Sequence, residues 1–256
     1  MGNRKYELTD ETKTLEDGTV LHRIRAVRDF CPETGALVNA GDLGGWIEHE
    51  GNLSHDGRSW VYGEAQVFEE ARVAADAAVG ESATVCGHAH IGGSACVTGS
   101  ARVHDHARIY GSAHVFGCAY VCVDAVVGGN AWVHGSAYIG GHAKVYGSAV
   151  VKGDAKVLEN AIIYGSACVY GAAEIAGSAR VSCVNDYVVF KNAWSSGRFF
   201  TYTRSDGMWK VGCFHGTGKE LIEKAYEDSK LSGKCYERIV RAQEAIDREI
   251  HKGCRK

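Results

Sequence analysis

Every sixth residue from Val61 to Val181 is valine or isoleucine, over 21 consecutive hexads without an insertion. The twenty aliphatic residues from Val67 onward also have alanine two positions earlier. A period of six fits neither an amphipathic helix, which needs 3.6 residues, nor a half-buried strand, which needs 2. The repeat therefore predicts short strands joined by corners at a fixed interval, which is the pattern of a solenoid.

Glycine stands two positions after the aliphatic residue in 14 of the 21 hexads, as at Gly117 and Gly147. Because glycine adopts positive φ without a Cβ penalty, a glycine at a fixed offset marks a tight corner. Alanine and valine two apart point to the same face of a strand, where they fill a narrow interior. Each hexad is thus predicted to be one short strand and one corner.

The repeat resembles the hexapeptide-repeat proteins, whose family fold is the left-handed parallel β-helix. In that family three hexads close one triangular coil, so the resemblance implies about seven coils over residues 59–185, with stacked residues 18 positions apart. It covers about half of the chain. The expected fold is mainly β: this helix, an N-terminal β cap and a C-terminal α+β module.

Residues 1–58 are expected to be the N-terminal β cap, since an open solenoid end exposes unpaired backbone groups. Strand-like runs at 20–27 and 44–48 support this interpretation. The segment also resembles the start of uncharacterised bacterial and phage hexapeptide-repeat proteins, through the sequences at 5–9, 23–26 and 41–48. That resemblance implies no particular chemistry.

Residues 186–256 abandon the repeat and predict a β-β-β-α-α module, with strands at 186–190, 198–203 and 209–214. Thr217 and Glu220 fit a capping box that opens a helix to about Ser229. A second helix is expected from about Ser232 to His251. Its predicted apolar stripe consists of Tyr236, Ile239, Ala242, Ile246 and Ile250. The module resembles the C-terminal part of some phage-encoded proteins, through the sequence at 212–217.

The segment between the third strand and the first helix is a candidate ligand site. Free N–H groups at a helix start, next to a lysine, suit a small anion. The residues that carry this prediction are His215, Gly216, Thr217, Gly218 and Lys219. Because they lack the spacing of a phosphate-binding P-loop, ATP hydrolysis is not indicated. An ordinary capped helix start is the alternative.

One edge of the predicted prism collects histidines and acidic residues at an 18-residue spacing. Imidazole and carboxylate groups stacked about 4.8 Å apart suit a divalent ion such as zinc. The tentative ligands are His88, His106, Asp124 and His142. The same edge also fits a pH-sensitive subunit contact or a solvated corner.

The three flat faces differ in polarity, and the first is largely apolar. An apolar face on a soluble rod usually marks a partner. The residues chosen for that contact are Trp60, His114, Trp132 and Val150. Because hexapeptide-repeat proteins commonly form trimers with parallel axes, the resemblance implies a homotrimer. Alternatively, the C-terminal module folds back over this face.

Charge and composition exclude several classes of function. The net charge of −3 and the lack of a concentrated basic face argue against binding of a nucleic acid polymer. No apolar run approaches the length of a membrane span. The first residues lack the apolar core of a signal peptide, and ten cysteines without a CxxC pair suit reduced thiols. A cytoplasmic location is therefore expected.

Three functions compete on these grounds. The favoured one is a non-catalytic oligomeric binding or scaffold protein that captures a small anionic, nucleotide-like ligand or a host protein and needs no cofactor. The resemblance of both ends of the chain to phage proteins implies that it is phage-encoded. The first alternative is a hexapeptide-repeat acyltransferase that uses a CoA thioester, with His114 or His134 as base. The unbroken repeat opposes it, because those enzymes usually carry an inserted loop. The further alternative is a metal-binding trimer similar to the carbonic anhydrase built on this fold.

Overall fold

The computed structural model of the protein describes residues 4–32 and 37–253, with the backbone alone for 251–253. It is a parallel β-solenoid with a sheet at its N-terminal end and a sheet with two helices at its C-terminal end. Each of the 21 hexads forms one two-residue strand, which consists of the aliphatic residue and the residue before it. The predicted fold class is thus confirmed.

The strands lie in three sheets, one for each face of the prism, and residues 18 apart pair in parallel register. The first face contains β4 (Trp60–Val61), β7 (Ala78–Val79), β10 (Cys96–Val97), β13 (His114–Val115), β16 (Trp132–Val133), β19 (Val150–Val151) and β22 (Cys168–Val169). The second face contains β5 (Gln66–Val67), β8 (Thr84–Val85), β11 (Arg102–Val103), β14 (Tyr120–Val121), β17 (Tyr138–Ile139), β20 (Lys156–Val157) and β23 (Glu174–Ile175). The third face contains β6 (Arg72–Val73), β9 (His90–Ile91), β12 (Arg108–Ile109), β15 (Val126–Val127), β18 (Lys144–Val145), β21 (Ile162–Ile163) and β24 (Arg180–Val181).

The interior of the solenoid is a column of alanine and valine or isoleucine side chains that are at most 1% exposed. At the corners, the glycines of the repeat have φ between 58° and 75°. Six corners carry another residue and keep positive φ, between 54° and 61°. Those six are Glu69, Ala75, Glu81, Asp105, Val123 and Glu159. The corner conformation is therefore a property of the coil, and glycine is its least strained occupant.

The N-terminal segment forms strands β1 (Tyr6–Thr14), β2 (Val20–Ala26) and β3 (Leu43–Ile47), which extend the sheet of the second face. β3 runs parallel to β5, and Leu53 bridges to Val73, so this segment supplies a partial eighth coil. A short 3-10 turn, Glu50–Asn52, lies between these two contacts. The cap is thus continuous with the solenoid and adds a coil to the seven that were predicted.

The C-terminal module is an antiparallel sheet of β25 (Tyr187–Lys191), β26 (Phe199–Thr203), β27 (Met208–Val211) and β28 (Phe214–Thr217), followed by α1 (Gly218–Asp228) and α2 (Lys230–Gly253). A 3-10 turn, Val184–Asp186, links it to the last coil. The predicted third strand is in fact a hairpin of two strands, since the chain turns at 212–213. This turn places His215 and Thr217 in β28 instead of in a loop.

The C-terminal module closes the far end of the solenoid and leaves Trp132 of the first face exposed. The N–H group of Glu174 donates to Thr201 Oγ1 at 2.9 Å, and that of Arg180 donates to Ser205 Oγ at 2.8 Å. At the end of the first face, the N–H group of Tyr170 donates to a tyrosine Oη of the module at 3.4 Å. The module therefore supplies acceptors for donors that a further coil would otherwise pair.

The buried face of α2 differs from the predicted apolar stripe. Ala242, Ile246 and Ile250 are exposed, whereas Val240 and Gln243 are buried. The reason is a set of hydrogen bonds on the side of α2 that faces the sheet. Asp247, one turn beyond Gln243, accepts hydrogen bonds from Tyr202 Oη at 2.5 Å and from Arg204 Nε at 2.9 Å. Pairing of these groups turns the helix so that part of its apolar stripe faces solvent.

Candidate functional site

The four residues predicted as metal ligands lie on one edge but form pairs instead of one ligand set. The rings of His88 and His106 stack with centroids 4.9 Å apart and planes 4° apart. His142 Nδ1 lies 3.4 Å from Asp124 Oδ2. Among the described residues, these four do not belong to any group of three or more close ligand atoms. The structure therefore gives this prediction no support beyond the shared edge.

A different cluster lies beside that edge, on the second face. One ligand atom each from His104, Asp105 and Cys122 falls within 4.8 Å of the other two. His104 Nδ1 lies 2.9 Å from Asp105 Oδ2. Asp105 belongs to the corner residues that predict the polar edge, whereas His104 and Cys122 stand directly after an aliphatic residue, a position that the prediction did not include. The signal was nevertheless present, since His104 and Cys122 are 18 residues apart.

The first face carries the residues predicted for a subunit contact, but one of them is buried and cannot contribute to it. Trp60 is 1% exposed, because Phe30 of the N-terminal segment packs edge-on against its ring. Trp132 is 47% exposed and lies against the ring of His114, whereas Val150 is half-buried. The available apolar surface is thus centred on Trp132.

His114 and His134, the two candidate bases of an acyltransferase, contact aromatic rings. His134 stacks on Phe116 with ring centroids 4.7 Å apart, and burial lowers its pKa, aided by the charge of Lys152. No described carboxylate forms an ion pair with either histidine. Since a general base is usually oriented by an acceptor on its second nitrogen, the arrangement adds no support to the acyltransferase hypothesis.

The predicted anion site at 215–219 is a strand end followed directly by a helix. Thr217 is the N-cap of α1, and its N–H and hydroxyl groups both donate to Glu220 Oε2 at 2.8 Å. These two bonds lower the pKa of Glu220, so an ionised carboxylate already occupies the helix start. His215 Nδ1 lies 3.7 Å from a carboxylate of Glu159, and Lys219 is exposed beside Glu223. Anion binding at this segment stays a prediction that the geometry does not favour.

A cleft of about 380 Å³ lies on the other side of α1, between the sheet and both helices. The two helices approach closely at Gly233, next to the lining residue Ser232, since an added Cβ atom there would lie 2.3 Å from the ring of Tyr226. Four segments line it: the loop at 192–198, the hairpin turn at 211–214, the inner side of α1 and the start of α2. Val211, Phe214 and Leu221 provide an apolar wall.

Polar groups at the base of the cleft form a short network. Asn192 is 3% exposed, and its Nδ2 donates to Ser195 Oγ at 2.8 Å and to Tyr236 Oη at 3.1 Å. The phenol of Tyr236 thus acts as an acceptor, and its own proton has no acceptor among the described residues. Burial raises the pKa of Tyr236, so that proton is retained at neutral pH. The cleft therefore offers a hydrogen-bond donor at its base.

Charged side chains stand at the rim of the cleft. Arg198 lies on the loop side, and Lys224 lies on α1. Neither forms an ion pair with a described residue, although many other cations of the chain do. Asp228 also lines the cleft, so the charged lining consists of two cations and one carboxylate. This combination suits an anion that also carries a hydroxyl or amino group.

Comparison with known proteins assigns no function to this chain. No protein-family model matches the sequence. No curated protein shows significant sequence similarity to it. Within the described ranges, the structure contains no helix that is long and apolar enough to cross a membrane.

Proposed function

We propose that the protein is a non-catalytic binding protein that holds a small anionic, nucleotide-like ligand in the cleft of its C-terminal module. The observation that carries the proposal is the pair of rim cations, Arg198 and Lys224, which have no ion-pair partner among the described residues and lie next to an unused phenol proton. The capped solenoid acts as a rigid support for this module.

The lining of the cleft favours a ligand with three chemical parts. Arg198 and Lys224 suit a phosphate or carboxylate group, since charge-assisted hydrogen bonds are the stronger ones. The wall of Val211, Phe214 and Leu221 suits an apolar or aromatic ring. Asp228 suits a hydroxyl or amino group of the ligand. A mononucleotide combines these three parts.

The residues of the cleft favour binding over catalysis. None of the described residues that line it is a histidine, and Cys213 is the only thiol among them. A nucleophile is normally activated by an adjacent base, and the cleft lining offers no such pair. Retention of a ligand requires only the charges, the donor and the apolar wall.

Isothermal titration calorimetry with inorganic phosphate, AMP and ADP tests this proposal. Arg198→Met and Lys224→Met each remove one charged contact, which is worth about 1.5–3 kcal/mol, so each is expected to weaken nucleotide binding by about 10- to 100-fold. Lys219→Met is the matched control, because this lysine lies at the start of the same helix but outside the cleft. Absence of binding to the wild-type protein would refute the proposal, and weakening by Lys219→Met alone would return the site to residues 215–219.

The assembly state is a separate part of the proposal. We infer a homotrimer with parallel axes, joined through the first face around Trp132. The support is the exposure of this large ring on a flat sheet, flanked by His114 and Val150. The C-terminal modules would then stand together at one end of the trimer, with each cleft formed within one chain.

A further inference from the structure

The second face brings a histidine and a cysteine together by the register of the repeat. β11 and β14 pair with Val103 opposite Val121, so the residues that follow, His104 and Cys122, lie in neighbouring coils at the same position. Asp105 is the corner residue after His104 and has a φ of 58°. Three different ligand types thus converge from two adjacent coils.

The imidazole of His104 has a partner among the described residues on only one of its two ring nitrogens. Its Nδ1 lies 2.9 Å from Asp105 Oδ2, and that carboxylate also accepts the N–H group of Val123 at 3.0 Å. Its Nε2 is buried and has no hydrogen-bond partner in the part of the chain that the structure describes. A metal ion would replace the proton that His104 Nδ1 and Asp105 Oδ2 share, because ligand groups bind metal in their deprotonated form. Both atoms would then be ligands of the same ion.

The thiol of Cys122 is enclosed, since the residue is 1% exposed. Its sulfur donates to Tyr138 Oη at 3.1 Å. Burial raises the pKa of this thiol, so without a metal it is protonated and a poor nucleophile. A thiophilic cation would displace the proton, because thiolate is the form that binds metal.

A shallow cleft of about 300 Å³ adjoins the cluster and gives a path to it. Its lining includes His104, Asp105, Glu69 and Cys86. Two carboxylates at the mouth would attract a cation. Arg102 lines the same cleft, so the acidic groups face one positive charge.

We propose that His104, Asp105 and Cys122 bind one divalent thiophilic cation of the zinc class. The ligands of a tetrahedral zinc ion lie about 3.5 Å apart for bonds of about 2.0–2.3 Å. The present separations, up to 4.8 Å, are within reach of small side-chain rotations. Three protein ligands leave one position for water or an added ligand. The site lies on the solenoid, so it is independent of the cleft in the C-terminal module.

Metal titration of the reduced full-length protein, purified without a histidine tag, tests the site. Calorimetry with Zn²⁺ is expected to show one strong site per chain. With Co²⁺ as the probe, a thiolate-to-cobalt charge-transfer band is expected. Cys122→Ser should abolish the band and weaken Zn²⁺ binding at least 10-fold. His104→Gln should weaken Zn²⁺ binding similarly while the fold, checked by circular dichroism, is retained.

Two matched variants control for the residue types. Cys96→Ser alters a half-buried cysteine on the first face, and His88→Gln alters a histidine of the neighbouring edge. Neither should change the band or the stoichiometry. A wild-type protein that binds no Zn²⁺ at micromolar concentration would overturn the proposal. So would a band that persists in Cys122→Ser, or one that disappears in Cys96→Ser. If Cys122→Ser fails to fold, His104→Gln decides, and unchanged binding in it contradicts the site.

Discussion

Replacement of one corner glycine by alanine is expected to destabilise the solenoid through contact with the next coil. At Gly111, φ is +70°, and an added Cβ would lie 2.7 Å from the carbonyl oxygen of Gly129. That oxygen accepts the N–H group of Ser112 at 2.8 Å. Relief of the clash must therefore move a hydrogen-bonded coil. Gly171 is the matched control, because its φ is +68° and nothing lies within 4 Å of its added Cβ.

The two substitutions share the cost of positive φ and differ in the contact. An alanine in this region costs about 1–2 kcal/mol. The loss of glycine's freedom in the unfolded chain returns about 0.4–1 kcal/mol. Gly171→Ala should therefore cost between about zero and about 1.6 kcal/mol. Gly111→Ala adds an overpacking term of about 1–3 kcal/mol. Ala75 shows that a corner accepts a Cβ when φ falls to 59°, so the lower end of this range is expected.

Urea unfolding of the two variants, followed by circular dichroism, measures this difference. The free energies of unfolding of the two variants are compared at equal dependence on urea concentration, because solenoids can unfold in parts. The expected result is that Gly111→Ala loses at least 1 kcal/mol more than Gly171→Ala, in line with the overpacking estimate. Equal losses would refute the argument that stacked corners limit the side chain at these positions.

Two further predictions concern the N-terminal cap and the first face. Lys5 is fully buried, its Nζ donates to Ser59, and burial lowers its pKa to about 8, with repulsion from Arg28 as the next cause. The unfolded chain then holds this proton more tightly than the folded protein. The free energy of unfolding, relative to that of Lys5→Met, should therefore rise between pH 8 and pH 10.5 by an amount on the order of 3 kcal/mol. Urea unfolding at several pH values measures this change. A constant difference would contradict the lowered pKa. Trp132→Glu should convert the proposed trimer to a monomer in light scattering, whereas Lys144→Glu on the third face should not. A wild-type monomer would refute the assembly.

The repeat predicted the solenoid in detail because each of its positions has one structural role. The buried alanines and the corner glycines follow from a period that never slips, whereas the 18-residue register was implied by the resemblance to hexapeptide-repeat proteins. The partial eighth coil was not predicted, since Trp46 pairs with Gln66 at a spacing of 20 residues. The two additional residues lie between Leu53 and Trp60, where the sequence no longer resembles the repeat.

The candidate sites were predicted less well because they depend on contacts between distant segments. The cleft of the C-terminal module joins a loop, a hairpin turn and two helices, and no local pattern relates Arg198 to Lys224. Thr217 and Glu220 were recognised as a capping box, but the same box fills the helix start with a carboxylate. The cluster at His104 could have been predicted from the sequence, because His104 and Cys122 are 18 residues apart and stand next to the corner positions.

Hydrogen–deuterium exchange with the tightest-binding nucleotide of the calorimetric panel locates the ligand within the chain. We expect slower exchange in the segments at 192–198 and 221–228, no change in the solenoid, and loss of this protection in Arg198→Met. Protection confined to 214–220, or equal protection in the wild-type protein and in Arg198→Met, would contradict the assignment of the ligand to this cleft.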